Sequence, residues 1–335
     1  MLKKVLISIV ILLLIGLGVW KIFFNNETIS DKLADVTQNL DSYNIEANME
    51  LINGEEKRNF VVKVSYKKDT DQDYFRVSLY DTNINQEQIM LRNKEGVYVL
   101  TPSLNQAYNF KSGWPLNSAK PYIYQSLLEV FNGDYDIEKL DDGFIVTSSI
   151  EFKNSPAYAK QEVKFSNDLK PLWVNLYNDR DEVLVKVTFT KVETHVTFED
   201  DYFQVEKNMA TARENIVSGG ETSESELPLL LTGSHMNITL KDNVTTNIDG
   251  EELHMLVYEG DSNFTVIQKV CSSNSVLEII ETDGDLVMTI NGFGILESNK
   301  VSYIYNNVEV VIYGDGMSVN AYLDVVNGME VSWNK

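Results

Sequence analysis

The chain has 335 residues and a formal net charge of −22 at pH 7. This acidic balance argues against nucleic-acid binding, which requires basic patches, and against broad adhesion to an anionic membrane surface. Hydrophobic residues make up 43% of the sequence, which is enough for a sizeable core and too much for an extensively disordered chain.

The N-terminus carries a long apolar run. Lys3 and Lys4 precede Val5–Phe24, which is long enough to cross a membrane as a helix. Because lysines favour the cytoplasmic side, the pattern predicts a single-pass anchor over residues 1–24, with the bulk of the chain on the extracytoplasmic side of the cell membrane. A cleaved secretory signal is the alternative, although no A-x-A-like site follows the run. The single cysteine, Cys271, lies far from the run, which excludes lipidation there.

A helix and then a series of short strands follow. Ile29, Leu33, Val36, Leu40 and Tyr43 recur at helical spacing after a Ser30-Asp31 cap. The period then changes to two, which predicts the strands NIEANMEL, NFVVKVSYK, YFRVSLYD, EQIMLRN, GVYVLTP and AYNFKS. A helix over Ser118–Phe131 interrupts the strands, which resume as YDIEKL, GFIVTSSIEF, AKQEVKFS, PLWVNLYN and EVLVKVTFTKVET.

The composition changes after residue 209. The polar stretch ATARENIVSGGETSESELP is rich in Gly, Ser and Glu and predicts a linker over residues 210–228. The predicted domains on its two sides are residues 25–209 and a smaller β-rich domain, residues 229–335. The strands predicted in the smaller domain are LHMLVYEG, NFTVIQKV, DLVMTING, FGILES, KVSYIYNN and VEVVIYGD, followed by a short closing helix over Ser318–Val326.

The sequence shows no catalytic signature. The three histidines have no carboxylate or second histidine at metal-ligand spacing, and the nucleophile-elbow, P-loop and dinucleotide-binding patterns are absent. Because these signatures are absent, we predict a protein that is not an enzyme and that needs no metal and no cofactor. The alternative is a pair of carboxylates that are distant in sequence and meet in the fold, as in glycosidases.

Aromatic residues are frequent on the strands of the larger domain and beside its helix. One interpretation is that they fill the core. The other is that some line a cleft between a curved sheet and the helix that covers it, where apolar walls accept acyl chains or a partner's apolar segment. The candidate cleft residues are Trp114, Tyr122, Tyr124, Leu127 and Leu128.

The order of helix, strand meander, covering helix and second meander resembles the LolA/LolB/RseB superfamily of lipoprotein carriers and envelope regulators. The segments that carry this resemblance are DYFRVSLYD, IMLRNKEGVYVLTPSLNQAYNF and GWPLNSAKPYIYQSLL. Within the superfamily, TPSLNQAYNFKSGWPLN and AKQEVKFSNDLKPLWVNLYN look most like the branch of the germination lipoprotein GerS and the YdcC-type sporulation proteins of spore-forming Firmicutes. The C-terminal part resembles the small β-rich domain called DUF4367 that follows in YdcC-type proteins. The chain departs from that branch in lacking the usual lipobox cysteine.

The resemblance implies a mainly β, α+β fold: a curved antiparallel half-barrel sheet with covering helices, then a small β-rich domain, after an N-terminal transmembrane helix. It implies a membrane-anchored binding or scaffold protein of sporulation or germination in a Gram-positive cell, with a cell-wall amidase as the expected partner. The alternative is a LolA-like carrier or RseB-like sensor of lipid or lipoprotein acyl chains.

Overall fold

The computed structural model describes residues 29–115, 117–216 and 227–330. The chain divides into two compact units, Met1–Asn39 and Leu40–Lys335. In the described ranges no helix is both long and apolar enough to cross a membrane; the predicted anchor, residues 1–24, lies outside them. The described part of the first unit is helix α1 (Ile29–Asn39), in which the Asn39 side chain donates to Asp35 one turn earlier at 2.7 Å.

The predicted helix at Ile29 is therefore present, but it ends before Leu40. Tyr43, the last residue of the helical spacing, lies instead in the first strand of the second unit. Among its described residues the second unit contains three helices, α2 (Tyr124–Leu128), α3 (Val205–Glu214) and α4 (Val319–Gly328), with 3-10 turns at Pro102–Leu104 and Glu129–Asn132.

Strands dominate the second unit. Those before α3 are β1 (Ser42–Asn53), β2 (Glu56–Lys67), β3 (Tyr74–Asp81), β4 (Gln86–Asn93), β5 (Gly96–Thr101), β6 (Gln106–Phe110), β7 (Tyr135–Leu140), β8 (Gly143–Ser149), β9 (Lys160–Ser166), β10 (Pro171–Tyr177) and β11 (Val183–Thr194). Those after it are β12 (Leu230–Leu231), β13 (Ile238–Ile248), β14 (Glu251–Gly260), β15 (Phe264–Val270), β16 (Glu278–Thr282), β17 (Asp285–Thr289), β18 (Gly292–Leu296), β19 (Lys300–Tyr305), β20 (Val308–Gly314) and β21 (Met329–Glu330). The predicted mainly β fold with large antiparallel sheets is confirmed.

A twelve-stranded sheet, the large sheet, has the order β16-β6-β5-β4-β3-β2-β1-β11-β10-β9-β8-β7. Every pair in it is antiparallel except β16 and β6, which are parallel. The strands alternate between faces: along β1, Tyr43, Ile45, Ala47, Met49 and Leu51 are buried on one face. The opposite face, across β4 to β6, packs against α3 and the residues before it, where Phe203, Met209 and Ala212 join the core.

A seven-stranded antiparallel sheet, the small sheet, has the order β13-β14-β15-β20-β19-β18-β17. One of its faces packs against α4 through Tyr322, Val325 and Val326. The predicted closing helix is thus confirmed, and the hydroxyl of Ser318 caps it by accepting from the Ala321 N–H at 3.2 Å. A short ladder of β12 and β21 lies outside both sheets.

Strand β16 connects the two sheets. It lies between β15 and β17 in sequence, which both belong to the small sheet, yet it pairs with β6 at the edge of the large sheet. The sequence analysis missed β16 because EIIET is short and polar at both ends. The same analysis missed α3, whose helix already includes Ala210–Glu214 at the start of the predicted linker. Residues 217–226 lie outside the described part, and the division into domains 25–209 and 229–335 stays a prediction.

Contacts across the predicted linker yield a test. The Gln88 carboxamide accepts from the Phe293 N–H at 2.8 Å, and the Ser118 hydroxyl donates to the Leu286 carbonyl at 2.9 Å. We expect the two halves to stay together after residues 217–226 are replaced by a protease site and cut, because the β16–β6 ladder and these bonds remain. Size-exclusion chromatography without denaturant should show one peak that contains both fragments.

The matched control carries Gln88→Ala and Ile280→Pro, which remove a link between the sheets and disturb the short β16 ladder. Its cut fragments should dissociate at a concentration at least about tenfold higher than those of the parent. Free separation of the parent fragments in native buffer would show that the halves are independent.

Candidate functional site

The covering segment between β6 and β7 is where the sequence places the candidate cleft. Its helix is shorter than the predicted Ser118–Phe131: α2 spans only Tyr124–Leu128 before the 3-10 turn. Pro121 explains the late start, because the residue before a proline is held away from the helical backbone and the ring itself lacks an N–H. Ile123, the residue before α2, has an extended backbone, and the helix begins only after it.

Two of the five candidate residues, Trp114 and Tyr124, contact one face of the large sheet through Phe75 and Tyr43. Tyr122, Tyr124, Leu127 and Leu128 are buried, whereas Trp114 is half-buried. The first four are therefore enclosed by the chain's own side chains. Their role as a ligand or partner cleft stays a prediction.

An aromatic row explains how the space under the covering segment is occupied. Tyr43, Tyr66 and Phe75 are direct cross-strand neighbours on β1, β2 and β3, with ring centroids 5.0 Å and 4.9 Å apart. Trp114 stacks on Phe75 at 4.4 Å, and Tyr124 stands edge-on to Tyr43 at 5.9 Å. Such pairs add about 0.5–1.5 kcal/mol each beyond the area they bury.

Hydrogen bonds also join the covering segment to the large sheet. The Tyr43 hydroxyl donates to the Gln125 side-chain oxygen at 2.7 Å and accepts from the Tyr124 N–H at 3.3 Å. The Tyr124 hydroxyl donates to the Leu169 carbonyl at 2.9 Å. Burial raises the pKa of both tyrosines well above the ordinary value, so both stay neutral donors across the physiological range.

Lys120 lies at the start of the covering segment. Its ammonium donates to the carbonyls of Pro115 at 2.7 Å and Ser118 at 2.8 Å. Burial lowers the pKa of Lys120 from 10.5 to about 8, and the nearby Glu129 offsets a little of that effect. The folded protein therefore releases this proton at a lower pH than the unfolded chain does.

This difference predicts a pH dependence of stability. Between about pH 8 and 10.5 the unfolded chain holds more protons at Lys120, so the contribution of this residue to the free energy of unfolding rises with pH. We expect Lys120→Met to abolish a rise of about 2 kcal/mol between about pH 7.5 and 9.5, measured by urea unfolding. Lys111→Met, at an exposed lysine, should keep the rise. An equal pH profile in Lys120→Met and the parent would contradict the assignment.

A cavity lies elsewhere, between the two sheets. Its volume is ≈ 350 Å³, including its open mouth. The large sheet contributes Gln88, Val99, Thr101, Tyr108 and Phe110, and the small sheet contributes Leu286, Phe293, Gly294, Ile295, Ser302, Tyr303, Ile304 and Glu309. Much of this volume is open solvent at the mouth, and most lining side chains are apolar.

Two polar groups in the cavity wall, Gln88 and Glu309, have partners within the protein. Gln88 bridges the sheets, because its oxygen accepts from the Phe293 N–H and its nitrogen donates to the Ile304 carbonyl at 3.4 Å. Glu309 lies 3.4 Å from the Lys269 ammonium. Burial, with Glu309 nearby, raises the pKa of Tyr108. The wall therefore offers an apolar ligand contact surface rather than charged anchors.

The described ranges hold no group of three or more His, Cys, Asp or Glu residues placed to bind a metal ion. Burial and the neighbouring Glu309 raise the pKa of the Cys271 thiol to about 11, so it stays protonated and weakly nucleophilic at neutral pH.

No protein-family model matches the chain. The chain is 27% identical over 295 residues to the Sporulation protein YdcC of Bacillus subtilis (strain 168), covering 86% of each protein. The chain is a homologue of this sporulation protein. The predicted resemblance to YdcC-type sporulation proteins is thereby confirmed.

Similar solved structures include the Pseudomonas aeruginosa MucA/MucB complex, at 12% identity and a TM-score of 0.31, covering 90% of this chain and 98% of that one. Another is the LolA superfamily protein NE2245 from Nitrosomonas europaea, at 12% identity and a TM-score of 0.30, covering 54% of this chain and 99% of that one.

The sequence analysis did not anticipate the residues of the inter-sheet cavity. Gln88 and Phe293 are far apart in the chain, and neither stands in a pattern that predicts their contact. The available local signal was the apolar content of β5 and β19, which marks buried strands but does not identify the surface that each face meets.

Proposed function

We propose that the protein is a non-enzymatic binding or scaffold protein of sporulation or spore germination. In this proposal residues 1–24 anchor it in the cell membrane, and the rest lies on the extracytoplasmic side. It acts by binding a protein partner, for which we propose a cell-wall amidase. The observation that carries the proposal is the similarity to the sporulation protein YdcC over 86% of the chain.

The geometry of the covering segment supports a scaffold over a carrier that uses the predicted cleft. An acyl-chain carrier needs open apolar space under the lid. Here Tyr124, Leu127 and the aromatic row pack into that space, and the Tyr43 and Tyr124 hydroxyls are hydrogen-bonded across it. Opening it would expose large apolar side chains and break these bonds, at a cost of several kcal/mol.

The test is capture of the full-length protein from carbonate-washed membranes of sporulating and vegetative cells. We expect a C-terminally tagged chain to stay in the membrane fraction and to retain a cell-wall amidase from sporulating cells. Deletion of the gene should lower the yield of germination-competent spores. Recovery of the chain in the soluble fraction would refute the anchor. Capture of no cell-wall enzyme, with normal spores after deletion, would refute the role.

A carrier or sensor of acyl chains is the second candidate, and the inter-sheet cavity is the observation that favours it. We expect a dansyl-labelled fatty acid to bind saturably to the purified full-length protein if this function holds. Val99→Trp, which fills the cavity, should weaken that binding at least about tenfold. The matched control, Val276→Trp, adds the same ring at a residue that is 75% exposed and should change nothing. Absent uptake, or equal uptake by both variants, would exclude this candidate.

A further inference from the structure

One end of the small sheet exposes an apolar face. In an antiparallel sheet with one covered face, the other face is normally polar. Here Val244, Met255, Ile267 and Val311 are direct cross-strand neighbours on β13, β14, β15 and β20, on the face away from α4. We call these four residues the apolar row. Val244 is 43% exposed, and the other three are half-buried.

The same end of the sheet has an open edge. β13 is the terminal strand and runs for 11 residues, nearly all of them exposed. No strand of the described ranges pairs with its outer edge. The turn Asp249–Gly250, with φ of 53° and 90°, is the left-handed two-residue turn that keeps β13 in register with β14. An edge of this length is a ready template for another extended chain.

The usual protection of an edge strand is confined to one end of β13. Lys241 lies at a bulge between Leu240 and Asp242, and its ammonium pairs with Glu259. Asp242–Ile248, by contrast, is regular and carries Val244 and Ile248 on the face of the apolar row. This stretch is the part of the edge open to strand addition.

The charge of the β13–β14 hairpin distinguishes between a second copy of the chain and a basic segment as the binding partner of this edge. Residues 237–261 contain six acidic residues and one lysine. A second copy of the chain would bring the same acidic hairpin to the edge. The apolar row also spans only about 14 Å, three inter-strand spacings, whereas a stable dimer interface of about 800 Å² per partner is about 28 Å across. A short basic segment avoids both objections.

We propose that the Asp242–Ile248 edge binds an extended basic segment of a protein partner, which adds to the small sheet as an eighth strand. Its apolar side chains lie beside Val244 and Ile248 and continue the apolar row. Its Lys or Arg side chains lie on the other face, near Glu252, where the net negative charge of the hairpin attracts them. Backbone hydrogen bonds supply affinity, and the alternating side chains supply selectivity. This inference rests on the proposed protein-binding role and names the surface that performs it.

The test uses a fluorescent peptide of about ten residues in which valine and lysine alternate, titrated into the full-length protein in non-ionic detergent. We expect saturable binding that Val244→Asp and Ile248→Asp each weaken at least about tenfold. Simple charge attraction predicts the opposite, because each aspartate makes the site more acidic. The matched control Leu140→Asp, at the exposed edge strand β7 of the large sheet, should bind the peptide like the parent. Equal or tighter binding by Val244→Asp would overturn the proposal.

A second measurement does not depend on any protein variant. Two versions of the peptide carry N-methyl groups at every second residue, so that each version blocks one peptide edge. One version should bind the unaltered protein at least about tenfold more weakly than the parent peptide. If both bind as tightly as the parent peptide, the backbone is not involved and the docking site is refuted. A different result would assign the edge to a second copy of the chain. In that case the unaltered protein sediments as a dimer, Val244→Asp converts the dimer to a monomer, and the peptide does not bind.

The outcomes also separate this site from the proposed function. If the Val244→Asp protein still captures the amidase from sporulating membranes, the partner binds elsewhere, and only the docking site is refuted. If the unaltered protein binds the peptide but captures no cell-wall enzyme, the docking site stands, and the proposed role fails.

Discussion

The parallel pairing of β16 with β6 is the constraint on which the second unit depends. The chain leaves the small sheet after β15, adds one strand to the edge of the large sheet, and returns as β17. This excursion covers an edge that would otherwise present unpaired backbone groups. It also brings the faces of β5 and β6 opposite those of β18 and β19, and the inter-sheet cavity is the space left between them.

Polar contacts, as well as apolar ones, join the two sheets beside the β16–β6 pair. The Gln88 side chain bonds to backbone groups of both β18 and β19, and the Arg58 guanidinium of β2 lies 5.2 Å from the centre of the Tyr305 ring of β19. The Gln88 carboxamide is half-buried, and leaving it and these backbone groups unpaired would cost at most about 1–3 kcal/mol. These bonds therefore fix one arrangement of the sheets, where apolar contact alone would tolerate sliding.

The covering segment and the β13 edge differ in whether their polar and apolar groups already have partners within the protein. Under the covering segment, aromatic stacking and the Tyr43–Gln125 bond satisfy both the apolar and the polar groups. At β13, one backbone edge and one apolar row have no counterpart among the described residues. Acidic charge around that edge disfavours a second acidic hairpin and favours a basic segment. The β13 edge, whose backbone groups and apolar row have no partner among the described residues, is thus the part of the fold best suited to binding.

The sequence by itself determined the local elements. Period-two alternation identified most strands, and Ser318 marked the start of α4, because each signal depends on neighbouring residues alone. It overestimated α2, although Pro121 was a readable signal, and it missed β13, whose residues are mostly polar. Only the tertiary structure decided that β16 joins the large sheet, that Tyr43, Tyr66, Phe75 and Trp114 form one row, and that Gln88 meets Phe293. Alternation tells which face of a strand is apolar, but the strand edge or sheet that covers that face is chosen by packing between residues far apart in the chain.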